Sequence, residues 1–330
     1  MLAREGNAQI ALSSARGRFE RGDEKEIMLR LTLMRTATAI PTLLLVVALS
    51  FALMRAAPGG PFDLERPLDP VTLENLRRVY RLDEPLWRQF LDYLVALAHG
   101  DLGPSFAWRD FTVAELFAKA LPVSAMLGGL ALALALPLGA AAGLVAASRP
   151  GSFLDLGVSL PASLGVVIPS FVVAPVLQLV FGLWLKWLPV GGAGGPSHYV
   201  LPVLVLAAPQ IAAVARLTRA AAIDALTAPH QRTALAYGLS ERVRLARAFR
   251  AAALPLVSYL GPAAAAVMTG SVVVENLFGL PGVGRYFVQA ALDRDYTVSL
   301  AAVLLVAGAI LVFNLIVDIA YGFVDPRVRP

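Results

Sequence analysis

Groups able to do chemistry are sparse in this 330-residue chain, and their positions decide what it can do. Three histidines, His99, His198 and His230, lie far apart and lack the spacing of a metal-ligand set. With no cysteine there is neither a disulfide framework nor a thiolate metal site. No Gly-x-x-x-x-Gly-Lys-Ser/Thr run is present to cradle ATP phosphates, and no His-Glu-x-x-His or Gly-x-Ser-x-Gly is present either. Gly282-Val283-Gly284, within Pro281–Arg285, has no preceding strand and no third glycine at fingerprint spacing, so it reads as a turn. The chain is expected not to be an enzyme and to hold no cofactor or metal of its own. Two carboxylates border apolar runs. Asp318 stands four residues after Asn314, on the same helix face, and is expected to pair with a neighbouring helix at an interface. Glu275 closes another apolar run, where an external gate or packing role fits better than proton coupling.

The most informative segment is Pro229-His230-Gln231-Arg232-Thr233-Ala234-Leu235-Ala236-Tyr237-Gly238-Leu239-Ser240-Glu241-Arg242. Pro229 suits a first helical turn, which needs no N–H at that position. Gly238 suits the left-handed residue that ends a helix. Ser240 can cap a second helix, from 241 to about 253, in which arginines alternate with apolar residues. Pro255 then marks entry to the next apolar run. The expectation is a short helix, a glycine break and a basic amphipathic helix lying across a membrane face. Two uses compete: an interfacial linker held by lipid headgroups, or a rigid knob inserted into a cytoplasmic partner.

These residues must be positioned by membrane helices. The chain is 58% hydrophobic and 15% charged, with mean hydropathy +0.69; soluble domains run near 25% charged. Spanning helices need roughly 20 apolar residues. Such runs lie at about 36–54, 120–147, 156–183, 200–222, 252–274 and 297–322, giving an all-α integral membrane protein of six spans. Pro161, Pro169 and Pro175 imply kinks in the third, and Arg216 and Arg219 interrupt the end of the fourth. Residues 216–250 carry seven arginines against Asp224 and Glu241, whereas 58–119 is acidic, so the arginine-rich loop belongs inside. Both termini then lie in the cytoplasm. The loops 58–119, 184–199 and 275–296 fall outside. The net charge of +5 follows from this asymmetry and needs no nucleic-acid partner. Residues 1–27 are expected to form a disordered cytoplasmic extension, 28–57 the first transmembrane helix, 58–119 an external loop region, and 120–330 a five-helix core with a coupling loop at 223–250.

The segment Arg232-Thr233-Ala234-Leu235-Ala236-Tyr237-Gly238, followed by Leu254-Pro255, resembles the coupling loop of permease subunits of binding-protein-dependent ABC importers. The group is that of oligopeptide, dipeptide and nickel transport. There the loop typically reads Arg-Thr-Ala-Arg-Ala-Lys-Gly, so Leu235 and Tyr237 replace basic residues. Further matches run along the chain from Met28: Arg55-Ala-Ala-Pro58-Gly59-Gly60-Pro61, Gly270 to Glu275, Phe278-Gly-Leu-Pro281-Gly282-Val-Gly284, Asp293-Arg-Asp295-Tyr296, Asn314-x-x-x-Asp318 and Asp325-Pro-Arg327-Val-Arg329. His99 to Phe106 and Val167 to Pro175 look most like the oligopeptide permease subunit of the first (B) kind.

The resemblance implies a type I ABC importer permease fold in the bacterial cytoplasmic (inner) membrane. It implies a second homologous permease subunit, two ATPase subunits carrying ATP and Mg, and an extracytoplasmic solute-binding protein. Arg232, Thr233, Ala234, Ala236, Tyr237, Gly238 and Pro255 would form the ATPase-coupling loop. Glu275, Phe278, Pro281, Gly282, Gly284 and Asp295 would form an external gate or a loop facing the binding protein. Asn314, Asp318, Asp325 and Arg327 would be structural near the cytoplasmic face. Oligopeptides are the expected cargo, with dipeptides, opines or nickel chelates as alternatives within the family. An ion-coupled secondary transporter would need a buried coupling residue or inverted repeats, and the sequence displays neither.

Overall fold

The computed structural model describes residues 33–56, 74, 83–108 and 110–324, without the side chains of His230, Arg232 and residues 320–324. The expectations for residues 1–27, for Pro58 to Pro61 and for Asp325 and Arg327 lie outside the described residues. Helices dominate: α1 (Leu33–Ala56), α2 (Leu86–Ala98), α3 (Val113–Ser148), α4 (Phe153–Val167), α5 (Ser170–Leu177) continued by a π-helical turn to Trp184, α6 (Ser197–Thr227), α7 (Pro229–Ala236), α8 (Glu241–Phe278), α9 (Val283–Leu292) and α10 (Tyr296–Val324). Five are long and apolar enough to cross a membrane, and six crossings result if α4 and α5 together make one.

Local chemistry sets the boundaries. Thr112 and Glu115 form a reciprocal capping box, so α3 begins at Val113, seven residues before its apolar run. The loop expected at 58–119 therefore gives its end to α3 and also contains α2. The third apolar run is bent by 107° between its two halves. Pro169 biases Ile168 away from helical geometry and offers no N–H, so the break falls there. Pro161 and Pro175 remain inside helices. Helix α6 continues through Arg216 and Arg219 to Thr227.

The expected break near Pro255 is absent. Helix α8 runs unbroken from Glu241 to Phe278, with Pro255 and Pro262 inside it. Its 38 residues reach about 57 Å at 1.5 Å each, nearly twice the hydrocarbon thickness. The arginine-bearing first turns are thus the stem of a span rather than a separate surface helix. Ser240 precedes α8 but makes no side-chain cap hydrogen bond.

Small residues let α3 and α6 touch closely. A Cβ on Gly139 would strike Val214, and one on Gly143 would strike Thr218 and the Ala215 carbonyl oxygen. A buried core of Leu127, Leu201, Val205, Leu206, Val267 and Phe278 joins α3, α6 and α8. A second cluster joins the start of α3, including Val113 and Phe117, to Val283 and to Val298 of α10. Ala147, Ala222 and Ala248 bring the ends of α3 and α6 against the start of α8. One end of the bundle therefore carries α7, and the opposite end carries α9 and the loops flanking it.

Candidate functional site

At the first end, α7 is a two-turn helix delimited on both sides. Pro229 opens it. It closes through Gly238, at φ +72°, with the Gly238 N–H donating to Leu235 O (2.9 Å) and the Leu239 N–H to Ala234 O (3.1 Å). Gln231 and Ala234 are buried against the bundle, whereas Thr233, Leu235, Ala236, Tyr237 and Gly238 are exposed, Tyr237 by 81%. Within the expected coupling loop, Ala234 therefore faces the chain and seats α7, while its neighbours face outward. Pro255 lies more than two turns inside α8 and belongs to the stem. Leu235 and Tyr237, the two positions without the family's usual basic residues, are the large apolar and aromatic groups turned outward.

Beneath α7 sits an ion pair that the sequence reading did not single out. Asp155 of α4 is buried and accepts from both Nε and Nη2 of Arg219 on α6, the latter at 2.7 Å. The Gly151 N–H (2.8 Å) and Ser159 hydroxyl (3.0 Å) complete its shell. The bidentate geometry ties α4 to the last turns of α6, directly before α7. The available signal was Ser152-x-x-Asp155 ahead of an apolar run: the Asp155 N–H does donate to Ser152 Oγ (3.3 Å).

At the opposite end, Glu275 is fully buried in the last turn of α8. Its Oε2 accepts the Gly284 N–H (2.7 Å), while Ser124 Oγ of α3 accepts the Val283 N–H (2.9 Å). A carboxylate facing helix N-terminal amides is favourable by charge and by hydrogen bonding. Gly282 and Gly284 permit it. A Cβ on Gly282 would overlap the Glu275 carboxyl, and one on Gly284 would overlap the Val272 backbone. Phe278 and Leu280 are buried beside them, Pro281 is half-buried, and the Phe278 carbonyl accepts the Gly192 N–H (2.7 Å).

Asp295, also fully buried, stands immediately before α10. Its Oδ2 accepts from the Ser105 hydroxyl (2.6 Å) and from the N–H groups of Phe106 (2.9 Å) and Ala107 (3.0 Å). Its Oδ1 accepts the Val298 N–H (3.1 Å) in the first turn of α10. The Thr297 hydroxyl lies between Oδ1 (2.8 Å) and the Pro104 carbonyl (2.7 Å) and can donate to one at a time. Glu275, Phe278, Gly282, Gly284 and Asp295 thus turn into the chain. Glu275 Oε2 and both Asp295 oxygens are engaged in internal clasps, an arrangement closer to the gate role expected of these residues than to a surface facing a binding protein. Ser105 and Ser124 were missed as partners because they sit about 190 and 160 residues from the groups they serve.

Asn314 and Asp318 lie on α10. Asn314 Oδ1 lies 2.6 Å from where a Cβ on Gly261 would stand, so α8 and α10 approach closely at this glycine. Asp318 pairs with Arg35 of α1 at 3.1 Å, joining the start of α1 to the end of α10. Among the described residues no group of three or more His, Asp or Glu could hold a metal ion.

Residues 139–330 match the family described as the binding-protein-dependent transport system inner membrane component, and residues 28–119 match the N-terminal region of such membrane components. The chain belongs to that family of permeases. It is 45% identical over 305 residues to the oligopeptide transport system permease protein OppB of Salmonella typhimurium, covering 92% of this chain and all of the relative. The OppB of Haemophilus influenzae is 46% identical over the same length and coverage. The dipeptide transport system permease protein DppB of Bacillus subtilis is 36% identical over 303 residues, 92% of this chain and 98% of that one. The chain is therefore a multi-pass permease subunit of an ABC importer, a transport component and not an enzyme.

Proposed function

We propose that this permease forms half of the translocation path of an oligopeptide importer and that α7 is the knob through which ATPase subunits move it. The reading rests on one observation above others: α7 is fixed from below by buried Gln231 and Ala234 while Leu235 and Tyr237 stand free. Full-length similarity to OppB proteins, stronger than to the dipeptide relatives, favours oligopeptide cargo. The arginine-rich α7 end faces the cytoplasm, by the excess of Arg in its loops. Two ATPase subunits carrying ATP and Mg dock there, a second homologous permease completes the path, and a solute-binding protein approaches the α9 end. Closure of the ATPase dimer drives the α7 knobs together, and the Asp155–Arg219 pair carries that motion into α4 and α6. The Glu275 and Asp295 clasps keep the outer gate a rigid frame.

The reading is tested with the whole complex in proteoliposomes. Uptake of labelled peptides should need the binding protein and ATP on the α7 side, and should depend on peptide length. Uptake confined to dipeptides or nickel chelates would overturn the oligopeptide assignment. Uptake without ATP would overturn the importer mechanism.

A further inference from the structure

Where the end of α1 meets α2 and the first turn of α10, a cleft of about 210 Å³ opens, lined by Phe51, Arg55, Asp92, Tyr93, Phe106 and Tyr296 among others. The Arg55 guanidinium carbon lies 5.4 Å from the Phe51 ring centre and 5.3 Å from that of Tyr296, so two aromatic faces hold the cation. Among the described residues no carboxylate pairs with Arg55 and no hydrogen bond engages it. Tyr93 supplies a second donor. Its hydroxyl is buried without a hydrogen-bond partner, and burial pushes the phenol up to about 12, so it keeps its proton. A guanidinium with its N–H fork unspent, beside an unspent phenol, is a pair of donors suited to an oxyanion.

Location and size narrow the ligand. On α1, Leu44, Leu45, Leu49 and Leu53 are exposed in a helix of spanning length, and Arg55 ends its apolar run. That is the depth at which aromatic side chains meet headgroups. The cleft is smaller than the roughly 300–1,000 Å³ of sites that enclose drug-sized molecules, so it suits one headgroup and not an oligopeptide. We propose that this cleft binds the phosphate of a phospholipid headgroup, with Arg55 as its charged ligand and Tyr93 as a neutral donor. The bound lipid would help hold α1, which meets α10 through Arg55 over Tyr296 at one end and the exposed Arg35–Asp318 pair at the other.

The test titrates the purified complex with phosphatidylethanolamine and counts retained lipids by native mass spectrometry. Arg55→Gln should lower retention at one site by about tenfold or more, and Tyr93→Phe by several-fold, through loss of a charged and a neutral hydrogen bond respectively. Arg55→Lys should fall between them, because it keeps the charge and loses the fork. Lipid retention unchanged in Arg55→Gln would overturn the proposal. If that variant does not assemble, unchanged retention in Tyr93→Phe would overturn it. Displacement of the lipid by a tripeptide with a free C-terminus, but not by its amide, would assign the site to cargo and also overturn it.

Discussion

At the α9 end, Asp295 and Glu275 turn their carboxylates inward toward backbone N–H groups; at the α7 end, Leu235 and Tyr237 are exposed, Leu235 by half and Tyr237 by most of its surface. Both ends use glycine, for different reasons. Gly282 and Gly284 make room for a close approach, whereas Gly238 supplies a left-handed turn in open space. A close-packed clasp fixes geometry, while a capped, exposed knob offers a shape to something else. On the proposed function, the contrast puts rigidity at one end of the permease and partner contact at the other.

Asp295→Ala should sharpen that contrast most. It leaves the N–H groups of Phe106, Ala107 and Val298 without their acceptor, at about 1–3 kcal/mol for each one that stays buried. Loss of about 4 kcal/mol of stability should appear as a lower melting temperature and faster proteolysis between α2 and α3. Gly284→Ala comes next. Its Cβ must push α9 away from Val272, weakening the Glu275 contact, at about 1–3 kcal/mol by thermal unfolding. Gly238→Ala should be mildest, about 1 kcal/mol, because its Cβ meets no neighbour and only the positive φ opposes it. Equal losses at Gly284 and Gly238 would break the distinction between clasp and knob.

Much of this was legible in the sequence. Spans are read from one-dimensional length, and the fourth survived its arginines because arginine is itself a good helix former, with Arg219 paired to Asp155 and Arg216 exposed. The borders of α7 were readable because Pro229 and Gly238 act through their own backbone. The inward turn of Ala234 was not, since it depends on how α7 rolls against helices distant in sequence. Asp155 with Arg219, 64 residues apart, and Ser105 with Asp295, 190 apart, are tertiary pairs that no local spacing announces. The 107° bend at Pro169 was foreseen as a kink, but its size depends on packing, as does the unbroken passage of α8 through Pro255.

The central claim is that α7 is a contact surface and not a structural cap. Replacing Tyr237 with Glu, in the complete transporter reconstituted with its ATPase subunits and binding protein, tests this most directly. The account predicts a complex with unchanged thermal stability of the permease, weakened retention of the ATPase subunits and loss of ATP-driven peptide uptake. Normal uptake with the ATPases fully retained would contradict it.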